Sequence, residues 1–353
     1  MTTRQRTLKK SAAAAIIALA TAGTAIGLPA APARAAAPKI ATSWSTLMYR
    51  SLTHDTTLQA MKTSLAGQQA AITRWNTELA LAGRAQRGTR ALLITATTAD
   101  TAAQNRYATA RTALTSAKQT LSKAQKQKPR STAVVTRAKK AVAAAAKTVT
   151  LRKTQAQTAS AKLAEAGKAS RAALARVQKA EAGVKYETAA ATKTRAAIAA
   201  LPTAASYATQ AATLSKDVVN QVRPAFKVTD TTQVYGVTVN KTVAFAFKRM
   251  IDDAKADGVQ ISGGGFRTTQ RQIELRTING CPDVWTAPSS SCRVPTAIPG
   301  RSLHEIGLAV DISSGGKTIS SSTAAFKWMK VHAKQYGFVN FPAEAWHWSI
   351  SGS

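Results

Sequence analysis

The chain has four histidines, His54, His304, His332 and His347, and two of them lie among residue types that can do chemistry together. His304 precedes an acid in Ser302-Leu303-His304-Glu305-Ile306-Gly307-Leu308-Ala309-Val310-Asp311, and His347 follows one in Glu344-Ala345-Trp346-His347-Trp348. A catalytic zinc takes three nitrogen, sulfur or oxygen ligands from the protein and keeps a fourth position for water. The ion draws the pKa of that water toward neutrality and polarises a scissile carbonyl, and a nearby carboxylate must receive the proton. His304, Asp311 and His347 can supply such ligands, with Glu344 as the base. His304-Glu305 does not begin an H-E-x-x-H helix, because residue 308 is leucine, so Glu305 is not assigned as the catalytic acid.

Two short strands would position these groups. From Gly307 to Ile312 the side chains alternate, with Leu308, Val310 and Ile312 on one face and Ala309 and Asp311 on the other. That is the pattern of a half-buried strand presenting a carboxylate beside a small residue. The same alternation over Glu344–Trp348 predicts a strand with Trp346 and Trp348 opposite His347. Trp285 and Phe338 read as packing residues. His332 reads as a surface residue of a basic helix from Ala324 to Gln335, and His54 lies in an upstream helical region with no assigned role.

Several segments occur together in a set order: Ser262-Gly263-Gly264-Gly265-Phe266-Arg267, Gln272-Ile273-Glu274-Leu275-Arg276, Cys281, Cys292, Pro299 through Asp311, and Glu344 through Trp348. This order resembles the VanY-type D-alanyl-D-alanine carboxypeptidase family. The S-x-H-x-x-G-x-A-x-D and E-x-W-H-W patterns are both complete, and the resemblance spans about residues 225–353. It implies an α+β zinc peptidase domain, a small antiparallel sheet with helices. It implies Zn2+ held by His304, Asp311 and His347, with Glu344 as general base and later as acid to the leaving amine. It implies that Arg267 meets the substrate near a carboxylate or the scissile carbonyl, a role suited to a permanently charged, bidentate guanidinium. Gln272 and Ser302 fall on positions that support substrate or ligand geometry. The implied substrate is a peptidoglycan stem peptide, cut at its D-alanyl-D-alanine bond or, with the same metal site, inside the stem or a cross-bridge.

The region before this domain has another composition. From about Ser43 to Ala200 it is rich in Ala, Thr, Lys, Arg and Gln, with Pro129 as its single proline. Small or apolar residues recur on a seven-residue repeat, through Leu93, Ala96, Ala103, Tyr107, Ala110, Leu114, Ala117, Leu121 and Ala124 before Pro129, with Asp100 interrupting. After it the series runs Val135, Ala138, Val142, Ala145, Val149, Ala156, Ala159, Leu163, Ala166, Ala173, Val177, Ala180 and Val184. Such a stripe predicts a coiled coil. Proline breaks the ladder and Ser131 is a good N-cap, so the expected form is a long all-α antiparallel helical hairpin with its tip at Pro129. The second arm would reach about Ala200, and Gly83 and Gly88 are candidate bends in the first.

The expected layout is a signal peptide over 1–36, a basic Ala-rich helical coiled-coil region over 37–221, and the peptidase domain over 222–353. The leader reading rests on Arg4, Arg6, Lys9 and Lys10, an apolar run from Ala12 to about Leu28, and Ala33-Arg34-Ala35 as a cleavage site. A single membrane anchor is the alternative. Export would suit a Cys281–Cys292 disulfide, the alternative being a thiolate metal pair. It would place the protein outside the cell, associated with the wall. Lys and Arg number 49 against 16 acids, a net charge of +33. Residues 101–200 alone hold 21 Lys or Arg against three acids. That face is either merely solvated or grips anionic wall polymers or lipid headgroups. Few aromatics and no recognisable motif argue against nucleic acid. A wall-binding or scaffolding protein, with the rod as its main functional part, is the reading from another class.

Overall fold

Residues 37–353 are described by a computed structural model, and the leader read over 1–36 lies outside them. No helix among the described residues is long and apolar enough to cross a membrane. The helical part opens with α1 (Lys39–Leu52), followed by α2 (His54–Lys126) and α3 (Thr132–Ala199). Ala, Lys, Arg, Gln and Leu are strong helix formers, and α2 continues unbroken through Gly83 and Gly88. Ser131 caps α3 by accepting from the Val134 N–H. At 68 residues α3 is about 100 Å long.

The two long helices pack on each other along their length. Leu121 and Ala124 meet Val135 and Ala138, Asp100 meets Ser160, Glu78 meets Arg176, and Trp75 meets Gly183. Positions fall along α2 as they rise along α3, so the helices run in opposite directions. Of the buried residues along these helices, Ala110, Ala124, Val135, Ala138, Ala156, Ala173 and Ala180 belong to the sevenfold series, while Ala71, Ala82 and Ala191 lie outside its bounds. Asp100 is accommodated by a polar cluster: Ser160 Oγ donates to its Oδ1 at 2.7 Å, and Gln104 Nε2 donates to Ser160 Oγ at 3.0 Å. A Cβ at Gly183 would lie 2.4 Å from the Trp75 ring. Gly183→Leu is therefore expected to push the helices apart there, costing about 1–3 kcal/mol as an overpacked contact. A lowered melting transition of the helical signal in circular dichroism would show it.

The layout expected from composition needs one correction. The helical region over 37–221 is not all rod, because its first and last parts fold into the C-terminal core. α4 (Ala204–Ala225) buries Ala211, Val218 and Val222 against Ala41, Trp44 and Met48 of α1. Both then share one apolar core with the strand and helix residues downstream. Trp44 is fully buried and its indole N–H donates to Ser215 Oγ at 3.1 Å. Rod helices with alanine seams have little large apolar surface to bury, whereas α1 and α4 carry Trp, Met, Leu and Val at helical spacing.

Downstream, β1 (Thr231–Val234) and β2 (Val237–Asn240) form an antiparallel pair that leads into α5 (Lys241–Ala256). A second, antiparallel sheet contains β3 (Ser262–Gly264) and, after α6 (Thr269–Ile278), β4 (Ala309–Ser314) and β5 (Lys317–Thr318). After α7 (Ala324–His332) come β6 (Val339–Asn340) and β7 (His347–Ser349). The order is β3-β4-β7-β6, with β5 also on β4. The described part is thus mostly helical, with a small antiparallel sheet in its C-terminal domain. Phe338 packs against Phe247, as expected of a core residue, and His332 stacks on Trp328. Trp285 is 58% exposed, so it is not the packing residue its type suggested.

Candidate active site

β4 is the expected half-buried strand, starting at Ala309 after a turn. Leu308, Val310 and Ile312 are buried, while Asp311 emerges on the other face. Asp311 stands directly opposite His347 of β7, and Gly264 of β3 faces it from the other side. A Cβ at Gly263 would lie 2.0 Å from the Asp311 carbonyl oxygen, so the close approach of β3 requires glycine there.

His304 arrives on a single turn, His304–Ile306, which Gly307 ends at φ +67°. The Asn240 N–H donates to the Gly307 carbonyl at 2.8 Å and its side-chain amide donates to Ile306 at 3.0 Å. A residue that the motif does not contain thereby fixes the turn. His304 N also donates to Ser302 Oγ at 3.3 Å, so Ser302 supports the ligand turn from within.

The expected strand over Glu344–Trp348 needs correcting. It begins only at His347, and Glu344 sits in the turn before it. The His347 N–H donates to the Glu344 carbonyl at 3.1 Å, and Asn340 Nδ2 donates to the carbonyls of both Glu344 and His347 at 2.9 and 3.0 Å. In an unbroken strand, positions 344 and 347 would point to opposite faces. The turn lets both line one cleft of about 390 Å³, together with Arg267, Gln272, Ser302, His304 and Asp311.

The ligand atoms converge closely. His304 Nε2 lies 3.1 Å from Asp311 Oδ1 and 3.2 Å from His347 Nδ1, and His347 Nδ1 lies 3.0 Å from the same carboxylate oxygen. The other ring nitrogens face carbonyls: His304 Nδ1 donates to Gly265 at 2.7 Å and His347 Nε2 to Ser353 at 3.3 Å. A carbonyl can only accept, so in the neutral rings those nitrogens carry the hydrogens and the inner ones keep their lone pairs. Three lone-pair donors then face one another at hydrogen-bond distance, an arrangement that repels unless positive charge lies between them. A tetrahedral zinc with ligands at about 2.0–2.1 Å would set them about 3.3 Å apart, close to the observed spacing. The residues fit a metal ion, and among the described residues this trio could hold one through three ligand atoms.

Residues 236–353 match the family model described as VanY, D-alanyl-D-alanine carboxypeptidase. The C-terminal domain is of the VanY type. A D-alanyl-D-alanine carboxypeptidase of Enterococcus faecalis is 30% identical over 120 residues, 29% of this chain and 44% of its own. YodJ of Bacillus subtilis is 33% identical over 107 residues, 29% of this chain and 38% of its own. The chain therefore spans less than half the length of these curated relatives. A solved structure of a vancomycin-resistance D,D-pentapeptidase VanY, in complex with Zn(II), shares 24% identity. The alignment covers 34% of this chain and 78% of that one, with a TM-score of 0.29.

Within the VanY-type domain, Asp311 divides its oxygens. Oδ1 faces the two histidines, while Oδ2 accepts from Arg267 Nη2 at 3.1 Å. Burial alone would push the Asp311 carboxyl up, but wherever the His304 and His347 rings are protonated and donate to it, those interactions outweigh burial and hold the group well below the usual carboxylate range. Arg267 is itself steadied by Gln272, whose Oε1 accepts from Nη1 at 3.0 Å and whose Nε2 donates to Ala297 at 2.7 Å. Burial pushes the Glu344 carboxyl up, partly offset by the neighbouring His347. A raised pKa suits a group that must both take and return a proton.

The cleft wall from Cys281 to Ala297 has little regular structure and is held from α6. Arg276 is fully buried and donates to the carbonyls of Thr296, Asp283 and Ala287. The Cys281–Cys292 disulfide, read from the sequence, joins positions 11 apart in this wall. Reduction is expected to cost about 3 kcal/mol by the chain-entropy argument. A lower urea midpoint with reductant than without would show it. Glu305 does not serve as an acid in the cleft; its carboxylate accepts from the N–H groups of Gly300 and Ser302.

Proposed function

We propose that this chain is a zinc metallopeptidase that hydrolyses D-amino-acid peptide bonds of peptidoglycan stem peptides, chiefly as a D-alanyl-D-alanine carboxypeptidase. The observation that carries the proposal is the convergence of three lone-pair donors beside Glu344 and Arg267 in one cleft. His304 through Nε2, His347 through Nδ1 and Asp311 through Oδ1 would hold the ion. When bound, it supplies Lewis acidity toward a carbonyl and a more acidic water. Glu344 takes the proton of the attacking water and returns it to the leaving amine. Arg267 has one edge committed to Asp311 and Gln272, and its remaining donors meet the substrate carboxylate or the developing oxyanion. Gln272 keeps the guanidinium in place, and Ser302 keeps the His304 turn in place.

The proposed setting is outside the cell. The leader over 1–36 would direct export, and α2 with α3 would form a coiled-coil hairpin carrying the domain as a basic spacer. The same metal site would also serve an endopeptidase, so the products decide. Chromatography with mass detection is expected to show a stem pentapeptide losing one terminal D-alanine. Internal fragments from the stem, or release of cross-linked stems with the pentapeptide intact, would replace the carboxypeptidase assignment with the endopeptidase one.

A further inference from the structure

Arg301 is exposed and lines the same cleft as Ser302, His304 and Glu344, and among the described residues its side chain forms no ion pair or hydrogen bond. The backbone on either side of it is held more firmly than an exposed loop requires. The Glu305 carboxylate, only 7% exposed, accepts from the Gly300 N–H at 3.0 and 2.9 Å and from the Ser302 N–H at 3.3 Å. From α4, Arg223 Nη1 donates to the carbonyls of the same two residues at 2.7 and 3.1 Å. The Arg301 N–H donates to Ile298 at 2.9 Å. Donors and acceptors flanking Arg301 are thus met by buried or half-buried charged groups, which fixes where its side chain leaves the backbone.

The charges in the cleft are unequally matched. Arg267 is paired with Asp311, and Arg223 is opposed by Glu305. Burial lowers the Arg223 guanidinium, Glu305 opposes that, and Arg301 lowers it further. Among the described residues Arg301 forms no ion pair, and Glu344, the other acid lining the cleft, is paired with none of these arginines. A backbone fixed on both sides limits the region that the guanidinium can reach, and an arginine there can pair a carboxylate through two parallel N–H donors.

We propose that Arg301 is a specificity-determining residue that receives a carboxylate carried by the substrate away from the bond being cut, so that acidic peptides are preferred. The proposal rests on the hydrolase reading and deepens it by naming the substrate class. Arg223 lies outside the segment matched to the family, so part of the support comes from this chain's own upstream helix.

The test uses two synthetic peptides with the same D-alanyl-D-alanine end, one with a free carboxylate on an upstream residue and one with that group as carboxamide. The zinc-loaded protein is expected to favour the acidic peptide by about tenfold in kcat/KM, the scale of one charge-assisted hydrogen-bonded pair. Arg301→Ala is expected to bring the ratio close to one, while Lys330→Ala, a charge lost from α7, leaves it unchanged. Calorimetric binding of both peptides to the same proteins separates the subsite from the hydrolase reading. Cleavage of neither peptide overturns the hydrolase reading. The subsite is overturned by equal binding of the two peptides or no binding of either, by a preference that survives Arg301→Ala, or by an equal loss in Lys330→Ala.

Discussion

Glu344→Gln is expected to leave the fold and the metal content unchanged while lowering hydrolysis of a stem pentapeptide by about 10³-fold, within the range for loss of a general base. The side chain keeps its size and its place in the turn, since Asn340 and His347 hold Glu344 only through its backbone. A carboxamide cannot accept the proton. The loss should fall on kcat with KM little changed, because the proposed role of Glu344 is to act on the water and the leaving amine and not to anchor the substrate. Stopped assays on the zinc-loaded variant, with metal content measured on the same sample, would check this. Full activity in a correctly folded, metal-loaded Glu344→Gln protein would remove the base assignment.

The second large effect concerns stability. Trp44→Ala is expected to cost about 3–5 kcal/mol, as large aromatic truncations in cores do. Trp44 lies at the meeting point of three elements. It donates to Ser215 of α4, and it packs where Gly337 has no side chain: a Cβ there would lie 2.5 Å from the indole ring. The loss should appear as a lower midpoint for the whole C-terminal domain, followed by its tryptophan fluorescence in urea. A chain beginning at residue 222 would lack α1 and nearly all of α4. It should therefore fail to fold, because α1 packs on α5 and both α1 and α4 contribute to the one apolar core of the domain. A well-folded 222–353 fragment would show that α1 and α4 are accessories to this core.

How much of this was legible beforehand differs from element to element. The convergence of His304, Asp311 and His347 was readable because histidines are few in this chain and two of them sit in complete motifs with acids. β4 was readable because Leu308, Val310 and Ile312 alternate cleanly with Asp311. The turn holding Glu344 was not, since Glu344–Trp348 alternates equally well as a strand. What breaks it is Asn340, a neighbour outside the motif. Gly265 holds the His304 tautomer through a carbonyl, which leaves no side-chain signal at all. The helical seam was visible in its period, but at its interruption Asp100 takes its shorter hydrogen bond from Ser160, which is 60 residues away. The roles of α1 and α4 had a signal that composition obscured. Trp44, Leu47 and Met48, like Leu214, Val218 and Val222, recur at helical spacing with larger side chains than the rod's alanines. Arg276 illustrates the reverse case, since an arginine on a short polar helix gives no warning that it is fully buried and ties down the disulfide loop.

The most direct measurement is release of free D-alanine from a synthetic stem pentapeptide by the protein loaded with zinc, by the same protein after chelation, and by His347→Ala. The proposed site requires release by the zinc-loaded protein, its loss on chelation with recovery on added zinc, and its absence in His347→Ala. Release that persists without metal or without His347, or none from an intact zinc-loaded protein, would contradict it.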